Sequence, residues 1–409
     1  LTVAVAPSAS VDRFAGFYVL PGLIDMHVHL PPSAVPGQTE LFNTLFLAHG
    51  VTTIRETGSF ASRVFDVRQE IRDGQRAGPR IFACGEVLDG DPPTWPLARV
   101  VRDAVSARAA VDDLAARGAD CIKVMSNISS EALTAIREAA HAHGLPLIGH
   151  LPAISSWSET LLDEIEHVCD PRCWDLGPSQ IDELVETAVR AGIAHTPTLV
   201  VYENQLRSYD YETTARAPLA LLMPRFWRDV IWNPRYRLGF EAPAPTQRAQ
   251  REAAHRAMVA NIHEAVRRLH RAGVRVYAGT DPFNPFVVPG ASLHGELRLL
   301  TESGLTLEEA WAAATWQAGD ALGVRNLGRI ETGAPADFLI FREDPTRDFA
   351  ALDTLEAVVA DGRLYTKDEL DASLSRQRAY FESAWFDTLA VSVARVAATA
   401  LRSLVARGI

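Results

Sequence analysis

Residues Leu20–Leu30 read LPGLIDMHVHL. A short apolar run opened by a Pro-Gly pair is a strand signal. Side chains alternate along a strand, so His27 and His29 face the same side. Two imidazoles on one face can hold one metal ion. The HxH spacing alone is a weak signal. His141 and His143 share it, but they sit in EAAHAHG, at the end of a helical pattern. There they cap carbonyls and complement the helix dipole.

Seven further runs have the same character. They are Val51–Thr57 (VTTIRET), Arg80–Glu86 (RIFACGE), Cys121–Met125 (CIKVM), Pro146–His150 (PLIGH), Glu164–Val168 (EIEHV), Ala194–Val200 (AHTPTLV) and Arg275–Asp281 (RVYAGTD). Helix-like segments lie between them. Several end in glycine just before the next run, at Gly118, Gly144, Gly192 and Gly273, as a helix C-terminus favours. Eight strands alternating with helices over about 260 residues predict a (β/α)₈ TIM barrel. A doubly wound open sheet is the alternative. No glycine-rich phosphate loop follows the first run, which argues against it.

The ends differ from the middle. Leu1–Leu20 and Asn326–Tyr365 carry short β-type runs. They predict a small β-sandwich built from both chain ends (residues 1–22 and 324–366) beside a barrel over 23–323. Residues 367–409 form a helical extension. Within it, Asp371–Ile409 is one long helical pattern with Trp385, Phe386, Leu389, Val393, Val396, Ala400, Leu401 and Leu404 near one face. A docking or oligomer-forming role suits that face, so a homo-oligomer is expected. The longest connection, Val201–Gln250, is rich in aromatics, including Tyr202, Trp227 and Trp232. Long loops at that end of a barrel are usually functional.

Bulk composition narrows the function. Of 409 residues, 47% are hydrophobic, enough for a large core and against disorder. A net charge of −11 argues against a nucleic-acid partner, which needs basic surface. No uninterrupted apolar run reaches membrane-spanning length. Cys84 and Cys121 read as small core residues. Cys169 and Cys173 read as thiols, with pairing or metal binding as the alternatives. The chain begins at Leu1, so a removed signal segment stays open; a cytoplasmic location is the working expectation.

Position then singles out a constellation. His150 and His167 fall at the ends of the fifth and sixth runs, Asp281 ends the eighth, and Lys123 lies inside the fourth. Catalytic groups of TIM barrels gather at the C-terminal strand ends. The other histidines, His49, His195, His255, His263 and His270, fall on helices or at a strand start and read as structural or solvated. A lysine inside a barrel strand is a costly buried cation unless paired. Burial lowers its pKa and favours the neutral amine, which can take up carbon dioxide as a carbamate and become an anionic ligand bridging two metals. Pairing with Glu56 or Glu86 is the alternative.

These residues resemble the amidohydrolase superfamily. The matching stretches are LPGLIDMHVHL, VTTIRETG, IKVM, GH at His150, EIEHV and GTDP, with HGELRLLTESGLTLEEAWAAAT and LGRIETGAPADFLIF further on. The chain is similar in particular to the branch with metal-dependent prolidases, ochratoxin-type carboxypeptidases and imidazolonepropionase-like enzymes. It departs in a shorter N-terminal β-segment and in Glu56, where an Asp is common. The resemblance implies two divalent metal ions, with zinc expected. His27, His29 and Asp281 would hold one and His150 and His167 the other, with carbamylated Lys123 and a hydroxide bridging them. Asp281 would shuttle the proton, and His167 counts with it as catalytic. The implied function is hydrolysis of an amide bond in a peptide or N-acyl amino acid-like substrate. Alternatives are a mononuclear deaminase or cyclic-amide or amidine hydrolase, an ester or lactone hydrolase, and a non-catalytic barrel. For the substrate rim the candidates are Tyr202, Arg228 and His294.

Overall fold

The computed structural model describes residues 14–31, 36–58, 63–95, 97–153, 157, 160–169, 171–234, 245–386 and scattered positions from 388 to 399. The expected strand over Leu1–Leu20 lies outside these up to residue 13. So do residues 235–244 of the long connection and most of the chain from 387 onward.

Two arcs of parallel strands form the centre. One arc orders β2 (Leu23–Val28), β3 (Val51–Glu56) and β4 (Arg80–Ala83) side by side. The other runs β10 (Ala194–Thr196), β9 (Glu164–Glu166), β8 (Leu147–Gly149), β7 (Ile122–Val124), β5 (Leu88–Asp89) and β6 (Arg99–Val100). Every residue of β2 and β3 is buried, as expected for parallel strands covered on both faces. Helices return the chain between strands. Gly144 and Gly192, both at φ 70°, close two of them in the left-handed conformation that a side chain disfavours.

The eighth run departs from expectation. Residues 275–281 form no ladder, only an isolated bridge from Val276 to His195. They still lie between the arcs: Tyr277 N donates to His195 O at 2.9 Å, and Met26 N donates to Ala278 O at 2.9 Å. Among the described residues the ring of strands is therefore not closed by regular pairing. The seventh run is also shorter than its apolar pattern. It stops at Thr196; Pro197 cannot donate to a ladder, Thr198 turns at φ 49°, and Leu199–Arg207 is a helix.

The chain ends do meet. β1 (Tyr18–Pro21) pairs antiparallel with β11 (Phe338–Phe341), followed by β12 (Leu355–Ala360) and β13 (Arg363–Thr366). This is one four-stranded sheet among the described residues, not the expected sandwich. Its apolar residues Leu339, Phe341, Val358 and Ala360 join the main core with Leu45, Phe46 and Leu47, so the helix layer supplies the cover that a second sheet would have given.

The single C-terminal helix is also corrected. Lys367–Phe381 is helical and holds the helix Gln38–Ala48, with Gln377 Nε2 donating to Thr44 Oγ1 at 2.8 Å. It breaks at Glu382, and Ser383 Oγ accepts from Phe386 N at 3.3 Å. Phe386 then turns inward at 1% exposure, while Trp385 stays out at 60%.

Both cysteine pairs are disulfides: Cys84–Cys121 (Cα–Cα 4.5 Å) and Cys169–Cys173 (Cα–Cα 4.9 Å). Cys84 follows β4 and Cys121 precedes β7, and the backbone joins the two places through Asp120 N donating to Ala83 O at 2.8 Å. Sequence separation had concealed that adjacency.

Candidate active site

His27 is completely buried at the end of β2, and His29 lies two residues further on. Their Nε2 atoms are 3.4 Å apart. Two nitrogens each about 2.0–2.1 Å from a tetrahedral ion stand roughly 3.4 Å apart, so this is the spacing of two ligands on one metal. Their other ring nitrogens are taken. His27 Nδ1 lies 2.5 Å from Glu166 Oε2, and His29 Nδ1 lies 2.7 Å from Gly58 O. A partner at Nδ1 fixes the tautomer and leaves the Nε2 lone pair for a metal. Burial holds His29 down at about 4 and His27 well below the ordinary imidazole value, so both are neutral and ligand-competent at pH 7.

Asp281 faces this pair. Its Oδ1 is 3.4 Å from His29 Nε2 and 3.9 Å from His27 Nε2. Its Oδ2 lies 3.6 Å from His167 Nε2. Ligand atoms of His27, His167 and Asp281 all fall within 4.8 Å of one another. His167 Nδ1 is 2.6 Å from Thr198 Oγ1, a hydroxyl that can donate or accept and so holds the ring without fixing its tautomer. The His150 ring stands edge-on to His167, 4.8 Å between centroids. The backbone here is unusual: His167, Val168, Thr198 and Asp281 all have φ between 49° and 61°. Such conformations cluster at functional sites, where the surroundings over-determine them.

Lys123 is 1% exposed, and its Nζ has no hydrogen-bond partner among the described residues. Burial lowers its pKa. The pairing alternative does not materialise with Glu86, which takes Arg117 Nη1 at 3.1 Å near the surface. An orphaned buried amine beside three anchored imidazoles and a carboxylate suits a site that gathers divalent cations.

Below the histidines lies a buried ionic layer that sequence reading passed over. Arg55 Nη1 donates to Glu164 Oε2 at 2.7 Å, Nη2 donates to Glu166 Oε1 at 3.0 Å, and Nε donates to Met26 O at 2.8 Å. Thr196 Oγ1 donates to Glu164 Oε1. Burial opposes the guanidinium charge, but the two glutamates outweigh it and raise its pKa. Glu166 therefore joins this layer to His27. The signal was present: VTTIRE and EIE carry ionisable residues (Arg55, Glu56, Glu164 and Glu166) inside wholly buried runs.

The amidohydrolase family description matches residues 18–365. The chain belongs to the amidohydrolase family. An uncharacterized protein of Mycobacterium tuberculosis is 26% identical over 89% of this chain and 90% of its own length. An imidazolonepropionase of Deinococcus deserti is 42% identical, over 20% of this chain and 21% of its own. Among solved structures, bottromycin amidohydrolase superposes with TM-score 0.72 at 26% identity, covering 90% of this chain and 81% of the other. A prolidase structure from Bifidobacterium longum gives TM-score 0.64 at 27% identity, covering 89% and 86%. The architecture is thus that of the TIM-barrel superfamily, and this amidohydrolase is a hydrolase acting on C–N bonds.

The three rim candidates are placed elsewhere than expected. Tyr202 is not above the mouth: it sits in the helix Leu199–Arg207 at 6% exposure, and its OH donates to His167 O at 2.7 Å. It braces the backbone behind a histidine. His294 is 8% exposed, with Nε2 2.8 Å from His49 O, an interhelical contact. Arg228 is half-buried in a π-helical turn, and its Nε donates to Met223 O at 3.0 Å. The apolar pattern after Pro197 favoured a strand, and that misreading moved Tyr202 to the wrong side.

Proposed function

We propose that this amidohydrolase cleaves an amide bond in a small peptide or N-acyl amino acid through two divalent metal ions. The observation that carries the reading is the pair of Nε2 atoms 3.4 Å apart, each imidazole tied down at Nδ1. His27, His29 and Asp281 would hold one ion, His150 and His167 the other, and Lys123, as its carbamate, would lie between. Zinc suits this imidazole-rich set. Bound ions supply Lewis acidity and lower the pKa of a water towards about 7.

The chain's own residues do the rest. Asp281, with one carboxylate oxygen toward each histidine group, takes the proton of the attacking water and hands it to the leaving nitrogen. Glu166 keeps His27 in the ligating tautomer, and Thr198 holds the ring of His167 in place. Residues 275–281 are proposed to act as the eighth wall of the barrel, with 23–323 as the catalytic unit, 1–22 with 324–366 as the small β unit and 367–409 as the extension. A homo-oligomer is proposed on the exposed Trp385. A mononuclear deaminase would leave Lys123 as a free amine, and its orphaned Nζ favours the binuclear reading.

The test is a screen of metal-reconstituted protein against N-acyl amino acids and dipeptides. Chelator-sensitive release of the amino acid is expected. Turnover confined to cyclic amidines or amino-heterocycles would overturn the reading in favour of the deaminase class.

A further inference from the structure

The segment after β5 reads DGDPPTWP (Asp89–Pro96). Nothing in its composition marks it as functional, yet it delivers Trp95 onto the site. The indole lies over the His29 ring, with centroids 6.2 Å apart and planes 17° from parallel. Trp95 is only half-buried, so part of the residue touches the site and part stays accessible to solvent.

The turn that carries Trp95 is built to hold it. Asp89 is completely buried. Its Oδ1 accepts from Gly90 N at 2.9 Å and from Asn127 N at 3.0 Å. Its Oδ2 accepts from Thr94 N at 2.5 Å and from Thr94 Oγ1 at 2.6 Å. Asn127 Nδ2 also donates to Pro92 O at 2.6 Å. A Cβ at Gly90 would lie 1.8 Å from Asn127 O, so only glycine lets the two loops close on each other. One carboxylate thus brackets both ends of a five-residue turn and ties it to the loop after β7, the strand of Lys123. Side chains held by such a frame lose little further entropy on binding, which favours selectivity.

We propose that Trp95 is a specificity wall, selecting substrates that carry an aromatic ring beside the scissile amide. This rests on the amide-hydrolase reading for the word substrate, but the wall itself is a matter of binding. Indole faces also attract cations. A cationic side chain is disfavoured here because His29 helps gather divalent metal ions, and like charges a few ångströms apart repel. A neutral aromatic ring gains offset stacking on the indole without that repulsion. Aromatic pairs contribute about 0.5–1.5 kcal/mol beyond area burial, so the expected preference is roughly 2- to 10-fold.

The experiment is calorimetric binding of N-acetylphenylalanine and N-acetylleucine to the metal-loaded full chain, with turnover of both followed in parallel. The two ligands are similarly apolar, and only one has a ring. Wild type should bind the aromatic ligand more tightly. Trp95→Ala should bring the ratio near one with metal content unchanged, and Trp95→Phe should restore most of it. Equal binding by wild type, or a preference that survives Trp95→Ala, would overturn the proposal. If wild type binds with the preference but hydrolyses neither compound nor any other amide, the amide-hydrolase reading fails and the wall stands.

Discussion

Two buried polar groups of this barrel lie one beneath the other and obey opposite rules. In the lower layer, Arg55, Glu164, Glu166 and Thr196 saturate one another with hydrogen bonds. In the upper one, His27 and His29 point lone pairs at each other across 3.4 Å, and Lys123 Nζ has no hydrogen-bond partner among the described residues. Buried polar groups are normally satisfied. A layer that satisfies itself is structural; a cluster whose free atoms converge on one point is completed by something that binds. Glu166 is the hinge between them, accepting from Arg55 on one oxygen and facing His27 Nδ1 with the other.

The contrast can be broken at either layer. Asp281→Asn should lower kcat by about 10²–10⁴-fold, the usual contribution of a proton-transferring group, with the melting temperature little changed. Steady-state kinetics beside thermal unfolding checks this, and near-normal turnover would move the proton shuttle to another residue. Arg55→Met should do the reverse. It strands two buried carboxylates, at a cost of about 3–5 kcal/mol in stability, read by denaturant unfolding. A loss below 1 kcal/mol would mean that the lower layer is not the self-satisfied unit described here.

Lys123→Met sharpens the comparison most. A hydrogen-bonded buried cation could not be removed cheaply, whereas an amine with no hydrogen-bond partner among the described residues can. Stability should hold or rise, by up to about 1 kcal/mol, while metal content falls. Strong destabilisation would show that Lys123 is paired as Arg55 is.

A smaller effect belongs to the histidines of the helix layer. Burial pushes His294 down to about 3, against an ordinary value of about 6.5. The folded-state value is depressed, so the unfolded chain binds this proton first. Its contribution is complete above about pH 6.5 and is lost as pH falls toward 3. His294→Asn should flatten that acid slope of metal-free protein. Smallest of all, His195 is fully buried and neither ring nitrogen has a hydrogen-bond partner among the described residues. His195→Leu should be neutral or stabilising by about 1 kcal/mol, since it removes an unsatisfied polar group.

How much of this the sequence disclosed follows from the same contrast. His27, His29, His150, His167 and Lys123 sit on or just beyond barrel strands, where a period of two and a common C-terminal end fix direction, and Asp281 ends the eighth run beside them. Spacing and position made a common gathering place the expectation, and the structure brings neighbouring ligand atoms of His27, His29, His167 and Asp281 within 3.9 Å of one another. Arg55, Glu164 and Glu166 obey the same period and stood in the quoted runs, but their value depends on pairing across the barrel between β3 and β9, which no local pattern reveals. Trp95 and Tyr202 depended on turns. The Asp89 bracket brings one in, and Pro197 with Thr198 carries the other behind His167. The Cys84–Cys121 disulfide was hidden because its cysteines are 37 residues apart yet adjacent in space, whereas pairing of Cys169 with Cys173, four residues apart, stood among the alternatives. The four-stranded sheet was foreseen in its strands but not in its single layer, because the helix Gln38–Ala48 and its neighbours cover the face that a second sheet was expected to fill.

The most direct test is metal stoichiometry in wild type and in Lys123→Ala, each reconstituted with excess zinc and assayed with the best amide found. Two ions per chain in wild type, falling in Lys123→Ala together with activity, and both partly restored by a short carboxylic acid that stands in for the carbamate, is the predicted result. One ion per chain in fully active wild type, with Lys123→Ala equally loaded and equally active, would contradict it.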